Sequence, residues 1–267
     1  MPVKEIRSSG NRYVKEYRRL AGSRKYRRSA GKLALEGPHL LQEALAAGLT
    51  PEVVFFTRDF LEGNGGEVVA SLPEKARKYL LPPSLFARLA DTESPQEVAA
   101  IVPFILPEPS AIAGRQPSLV LILDRLQDPG NMGTLVRTAA AAGADAIFYT
   151  PGSVDPYSPK ALRASAGAVF HLPPAVAEEP LQLVKLLQGG GMQVLAAQPR
   201  DGRLYWEVDL RKKAAFLIGS EGGGLSPELA AAADLAVSIP LLSPLDSLNA
   251  AVAGALLLYE ALRQRRE

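Results

Sequence analysis

The stretch "LDRLQDPGNMGTLVRTAAAAGADAIFYT", Leu123 to Thr150, decides the fold class. It closes one apolar strand, turns through Pro129, Gly130 and Asn131, runs an alanine-rich helix and opens a second apolar strand, "AIFY". Strand, helix and strand in 28 residues is the repeating unit of an α/β protein with parallel strands. Two polar residues stand out within it. Asn131 is placed to cap the helix. Arg137 lies two turns further on among Ala, Leu, Val and Thr; on most faces of such a helix it would be buried and would require an anion.

Downstream of this unit the alternation continues. A helix around "PKALRASAG" is followed by "LQLVKLLQGGG", "QVLAAQ", "AAFLIG", "SPELAAAA" and "LAVSIP", and a helix from about Leu248 to Gln264 ends the chain. With "LVLILD" from Leu119 at its head, this order predicts a mostly parallel sheet covered on both faces. Sheets of this kind bind ligands in the loops beyond the carboxyl ends of their strands.

Upstream, residues 33–105 read as a small α/β unit. "GPHLLQEALAAG" is a helix with Pro38 near its start and Gly48 at its end, "VVFF" is a buried strand, and "EVAAIVPFIL" is a strand that ends in prolines. "PEPSAIAGRQPS", Pro107 to Ser118, has linker chemistry. The predicted division is therefore a first domain over 1–106, a linker over 107–117 and a second domain over 118–267.

Composition narrows the function. A chain of 267 residues with 47% hydrophobic content can bury a substantial core. It has no cysteine, which excludes disulfides, thiolate-held zinc and a cysteine nucleophile. A basic, polar start and the lack of a long apolar run predict a cytoplasmic protein without a membrane anchor. The net charge of +2 hides an asymmetry: residues 1–32 carry +9 and the remainder carries −7. Within the basic segment, Tyr13, Tyr17 and Leu20 follow helical spacing, so the cations, among them Arg18, Arg19, Arg27 and Arg28, sit on an ordered helix and the turn after it. Such a patch suits a phosphate backbone.

Three loops follow strand ends. The first is "QDPGNMG". The second, "FLIGSEGGGLSPEL", places Glu221 in a glycine-rich turn; glycines let a backbone approach a nucleotide or AdoMet closely. It is not a dinucleotide-binding fingerprint, because it falls late in the chain and Ile239 stands where an acidic residue would be needed. The third, "SIPLLSPLDSLNAAVAGALLLYEAL", opens a helix with Ser247 and Asn249, and its Ala250, Ala253 and Gly254 permit close helix packing.

In order and spacing these loops, N-x-G-x-x-x-R, G-S-E-G-x-G-L and I-P-L…S-L-N-x-A, closely resemble the three motifs of the SpoU, or TrmH-like, branch of the SPOUT methyltransferases. "NRYVKEYRRL", "LEGPHLLQEAL" and "SPQEVAAIV" resemble the ribosomal-protein-like substrate-binding domain of its rRNA members. At one position Glu97 replaces a glycine of many relatives, so the backbone there need not be special. The resemblance implies an α/β protein: a C-terminal parallel-sheet SPOUT fold with a deep trefoil knot, preceded by a small α/β substrate-binding domain. It also implies an AdoMet-dependent RNA ribose 2′-O-methyltransferase, acting as a homodimer on ribosomal RNA of the 23S type, with no metal. AdoMet would lie around Gly219, Ile239 and Leu248. Asn131, Arg137, Glu221, Ser247 and Asn249 match catalytic and RNA-binding positions. Because guanidinium stays protonated, Arg137 is better suited to clamp the target phosphate than to act as a base. A tRNA ribose methyltransferase and a non-catalytic RNA-binding protein of the same fold remain alternatives, and a nucleotide-dependent oxidoreductase ranks last.

Overall fold

A computed structural model describes residues 3–63, 65–89, 95–242 and 245–266, apart from the side chain of Ala113. The chain divides into two compact units, Met1–Leu106 with Tyr157–Phe170, and Pro107–Pro156 with His171–Glu267.

The first unit begins with strand β1 (Lys4–Glu5), helices α1 (Arg12–Gly22) and α2 (Arg24–Ala30) and strand β2 (Lys32–Glu36). It continues through α3 (Pro38–Ala46), β3 (Val53–Phe56), α4 (Arg58–Glu62), α5 (Gly66–Ser71), β4 (Arg77–Leu80), α6 (Pro83–Phe86) and β5 (Val98–Pro103). Its five strands lie in the order β1-β4-β3-β5-β2. β1, β4 and β3 run parallel, while β5 is antiparallel to both β3 and β2. Asn11 caps α1 by accepting from Tyr13 N at 2.9 Å. The helix then buries Tyr13, Val14, Tyr17 and Leu20, the face that the spacing predicts, in a core with Val53, Phe55 and Ile101.

Two expectations fail in this unit. Arg27 is not a surface cation: it is buried, and its Nη1 donates to the carbonyls of Leu20 and, at 3.0 Å, of Ala21. It satisfies carbonyls that the end of α1 leaves open. The backbone at Glu97 is not ordinary either. Its φ is +58°, the left-handed region that glycine adopts without penalty, and its carbonyl accepts from Thr57 N at 3.1 Å.

The second unit starts with α7 (Pro109–Ala113), a single turn of helix inside the stretch that sequence chemistry reads as linker. Next come β6 (Leu119–Leu123), α8 (Pro129–Ala141) and β7 (Ala146–Tyr149). Helix α9 (Pro159–Ser165) and the turn after it return to the first unit, where α9 packs on β2. The second unit resumes with β8 (Ala175–Val176), α10 (Pro180–Gly189), β9 (Gln193–Ala197), β10 (Arg203–Leu204), β11 (Ala214–Ile218), α11 (Pro227–Ala232), β12 (Leu235–Ser238) and α12 (Ala250–Arg266). Seven strands in the order β10-β12-β9-β11-β6-β7-β8 form a sheet whose pairings are all parallel. β6 and β11 lie inside the sheet and are buried along their length, as the continuous apolar runs require. α12 packs on α8 and β11. A Cβ at Gly254 would come within 2.4 Å of Leu135 Cδ2, so the close approach of the two helices depends on that glycine.

Among the described residues no helix is long and apolar enough to cross a membrane, and no group of three or more His, Cys, Asp or Glu could hold a metal.

Candidate active site

The loops after β6, β11 and β12 meet at the carboxyl end of the sheet. Asp128, not Asn131, caps α8: its side chain accepts from Asn131 N at 2.8 Å. Proline at the first helical position brings the cap forward and puts Asn131 in the first turn. The Asn131 side chain is thereby released for another role. Its Nδ2 donates to Glu221 Oε1 at 2.7 Å, and its Oδ1 accepts from Asn249 Nδ2 at 3.0 Å. One residue from each loop thus joins a single chain of hydrogen bonds.

Both ends of that chain are anchored on backbone. Asn249 Oδ1 caps α12, accepting from Ala251 N at 2.9 Å and Val252 N at 3.2 Å. Glu221 accepts from Gln127 N at 3.2 Å and Asp128 N at 3.3 Å, at the start of α8. Burial would raise the Glu221 pKa, but hydrogen bonds from Asn131, from its own backbone and from Gln127 and Asp128 outweigh it and hold the carboxyl below its usual range. Glu221 is therefore a carboxylate that accepts and orients; it does not deliver protons at neutral pH.

Beside this network lies a cavity of about 420 Å³, walled by Ile218, Val237, Ile239, Leu241, Leu248 and Leu257, with Glu221, Asp246 and Ser247 as polar members. Gly219, Ile239 and Leu248 all line it. Gly219 must be glycine, because a Cβ there would sit 2.1 Å from the carbonyl carbon of Gly224, where the loop folds back on itself. A largely apolar slot of this size with a few polar groups suits a nucleoside-sized ligand such as AdoMet. Ser247 is exposed beside the cavity.

Sequence reasoning missed two parts of the site. Ala197, Gln198 and Pro199, after β9, also line the cavity; the rule that ligands gather at strand ends points to them, since "QVLAAQ" reads as a strand. Asp124 is the other. Buried at the end of β6, it accepts from Ser226 N at 2.7 Å and Thr150 Oγ1 at 2.9 Å, tying the glycine-rich loop to the neighbouring strand ends. Its contact with Ser226 spans 102 residues and leaves no local trace in the sequence.

Arg137 departs from expectation. It lies on the exposed side of α8, opposite the buried face formed by Met132, Gly133, Leu135, Val136 and Ala139. The larger apolar residues make that inner face, and Arg137 is available to a ligand from outside the chain. In the first unit Arg18, Arg19 and Arg28 are exposed, and Arg19 stacks 4.0 Å from the Tyr26 ring centre.

The family model for the SpoU rRNA methylase family matches residues 118–259, and one for an MRM3-like substrate-binding domain matches residues 11–100. The chain is 37% identical to an uncharacterized tRNA/rRNA methyltransferase of Synechocystis sp., covering 98% of this chain and 95% of that protein. It is 34% identical to the 23S rRNA (guanosine(2553)-2′-O)-methyltransferase RlmP of Bacillus subtilis, over 96% of this chain and 98% of the relative. The structure of the SpoU methyltransferase AviRb from Streptomyces viridochromogenes, in complex with the cofactor AdoMet, superposes with a TM-score of 0.87 at 28% identity, covering 96% of this chain and 99% of the other. With its three loops joined as described and a family model spanning more than half its length, the chain belongs to the SpoU rRNA methylase family.

Proposed function

We propose that the protein is an AdoMet-dependent RNA 2′-O-ribose methyltransferase acting on ribosomal RNA. The observation that carries this reading is the hydrogen-bonded chain Asn249–Asn131–Glu221 beside an apolar cavity of about 420 Å³. A fold kept only for binding would have no need of it.

The reaction needs an electrophilic methyl group, which AdoMet supplies, and a ribose hydroxyl that is aligned and relieved of its proton. Main-chain groups at Gly219, Ile239 and Leu248 would hold the cofactor. The Glu221 carboxylate fixes the Asn131 amide, which leaves one N–H of Asn131 directed to substrate. Ser247, exposed at the cavity, offers a hydroxyl to the ribose. Arg137 would clamp the phosphate next to the target nucleotide; that phosphate would take the ribose proton, and the guanidinium would lower the cost of alkoxide character as the oxygen takes the methyl group and the methyl–sulfur bond of the sulfonium gives way. This division of roles gives the always-protonated arginine work it can do.

We further propose a homodimer and the family's deep knot at the C-terminal end. Val252, Leu256 and Tyr259 form an exposed apolar stripe on α12 that a partner would cover, and Arg137 lies on the exposed side of α8, open to a substrate held with the partner's help. The basic first unit, residues 1–106, would hold the RNA in the cytoplasm of the cell. The match to an MRM3-like substrate-binding domain and the 23S rRNA relatives support ribosomal RNA over tRNA. The test is transfer of labelled methyl from AdoMet to ribosomal RNA and to tRNA, with 2′-O-methyl sites mapped in the product. Incorporation confined to bases, or to tRNA, would sink this reading.

A further inference from the structure

Away from the cofactor cavity, the second unit has another of about 440 Å³, lined among others by Gly191, Gln193, Arg203, Lys212, Lys213 and Asp234. It lies at the amino ends of β9, β10 and β12, whereas the cofactor cavity lies at the carboxyl ends. The two stretches "QGGGMQ" and "LRKKA", which the catalytic reading leaves unused, converge there.

Its hydrogen-bonding groups are unevenly engaged. The carboxylates are occupied: Asp209 pairs with Arg211 at 2.9 Å, and Asp234 accepts from Gln188 Nε2 at 2.9 Å and Val194 N at 2.7 Å. Lys213 Nζ donates to Gly190 O at 3.3 Å. Arg203 and Lys212 are exposed, and no described residue accepts a side-chain hydrogen bond from either. Donors thus open onto the cavity while the acids beside it are already satisfied, the condition for taking an anion. The next element is aromatic. The turn Tyr205–Glu207 joins Arg203 to Val208, both of which line the cavity. In it Trp206 is 47% exposed, with the Tyr205 ring 5.0 Å away and edge-on. β10 ends the strand order, and no described strand pairs with its outer edge.

Taking the substrate to be RNA, as above, we propose that the β10 edge is a second contact surface for single-stranded RNA, with phosphate groups held by Arg203, Lys212 and Lys213 and a base stacked on Trp206. Cations beside an exposed aromatic ring are what unpaired nucleic acid requires, since backbone charge and base faces are both accessible. From Gln193 to Ala197 the two cavities are about 13 Å apart along β9, at about 3.3 Å per residue, so one short strand could pass from this surface toward the site of methyl transfer.

Trp206 is the only tryptophan in the chain, and its fluorescence reports on this surface alone. The full-length protein and an Arg203→Gln, Lys212→Gln, Lys213→Gln variant are titrated with a short oligouridylate across a range of salt, with thermal unfolding and AdoMet affinity as controls for folding. The expected result is quenching of Trp206 by RNA. The slope of log affinity against log salt should fall by about 2 in the variant, at about 0.7 per lost phosphate contact. Trp206→Ala should weaken binding roughly tenfold. Saturating RNA with no change in fluorescence and an unchanged slope would overturn the proposal, and methyl transfer to ribosomal RNA by the same sample would show that the enzymatic reading stands without it. Quenching with the loss of slope but no methyl transfer would support the surface and remove the enzymatic reading. A fluorescence change on diluting the protein without RNA would assign this face to a protein contact and overturn the proposal too.

Discussion

Glu221 and Arg137 are both charged residues beside loops of small and apolar ones, yet they work differently. Glu221 is held by donors from the β6–α8 loop, so Glu221→Gln would turn an amide N–H toward at least one of them. We predict a fall in kcat of roughly tenfold to a hundredfold, the range of one lost hydrogen bond to a charged group, read in methyl-transfer assays at saturating AdoMet. The pH dependence follows from its depressed pKa. The carboxylate form organises the loops at neutral pH, and its contribution is present above the usual carboxylate range and lost as pH falls through the folded value. Activity should therefore decline on the acid side in the wild type, and the Gln variant should lack that limb. Arg137→Lys keeps charge but loses the planar fork; we expect near-normal AdoMet affinity with methyl transfer down by roughly two to three powers of ten. Wild-type turnover in this variant would remove Arg137 from the mechanism. The sequence marked both residues through residue type and spacing. It could not place Arg137 on the outside of α8, because an alanine-rich helix reads as buried on most faces until its neighbours are known.

At the scale of elements, legibility followed burial and locality. Long apolar runs such as β6 and β11, and helices with caps in their own sequence such as α1, are announced by their residues. Two-residue strands such as β8 and β10 exist only because a neighbour supplies the pairing, and neither is legible in the sequence. Glu97 shows the converse: a residue that disfavours the left-handed region adopts it where a carbonyl partner holds the chain. α12 combines both kinds of information. Leu257, Leu258 and Ala261 are buried, while Val252, Leu256 and Tyr259 are exposed on another face. Substitution Leu258→Ala should destabilise the unit by about 2–5 kcal/mol through the cavity it leaves, measured by denaturant unfolding. Leu256→Glu should leave the protomer folded and, if the exposed stripe is a dimer face, convert it to a monomer with little activity. An active monomer in sedimentation at assay concentration would refute the dimer.

At the scale of the whole chain, charge and connectivity bear on how recognition is divided between the units. A fragment starting near Gln116 would be the obvious way to isolate the second unit, but Tyr157–Phe170 belongs to the first. Leu162, Val169 and Phe170 of that segment are buried and would lose their cover, so the fragment should unfold at lower temperature than the whole protein. The cleaner experiment changes charge in the intact chain. Arg27 must be left out, because it binds the carbonyls of Leu20 and Ala21; Arg27→Gln should destabilise the first unit whatever its effect on RNA. Arg18, Arg19 and Arg28 are exposed, and replacing them by Gln, with thermal unfolding as the control for folding, changes the charge of the patch. If these three meet RNA phosphates, their loss should lower the dependence of log affinity on log salt by about 2, at about 0.7 per contact for single strands. KM for RNA should rise while AdoMet affinity stays unchanged. If affinity and slope both match the wild type at every salt concentration, the +9 segment is a solvated face, and recognition must rest on other surfaces of the chain.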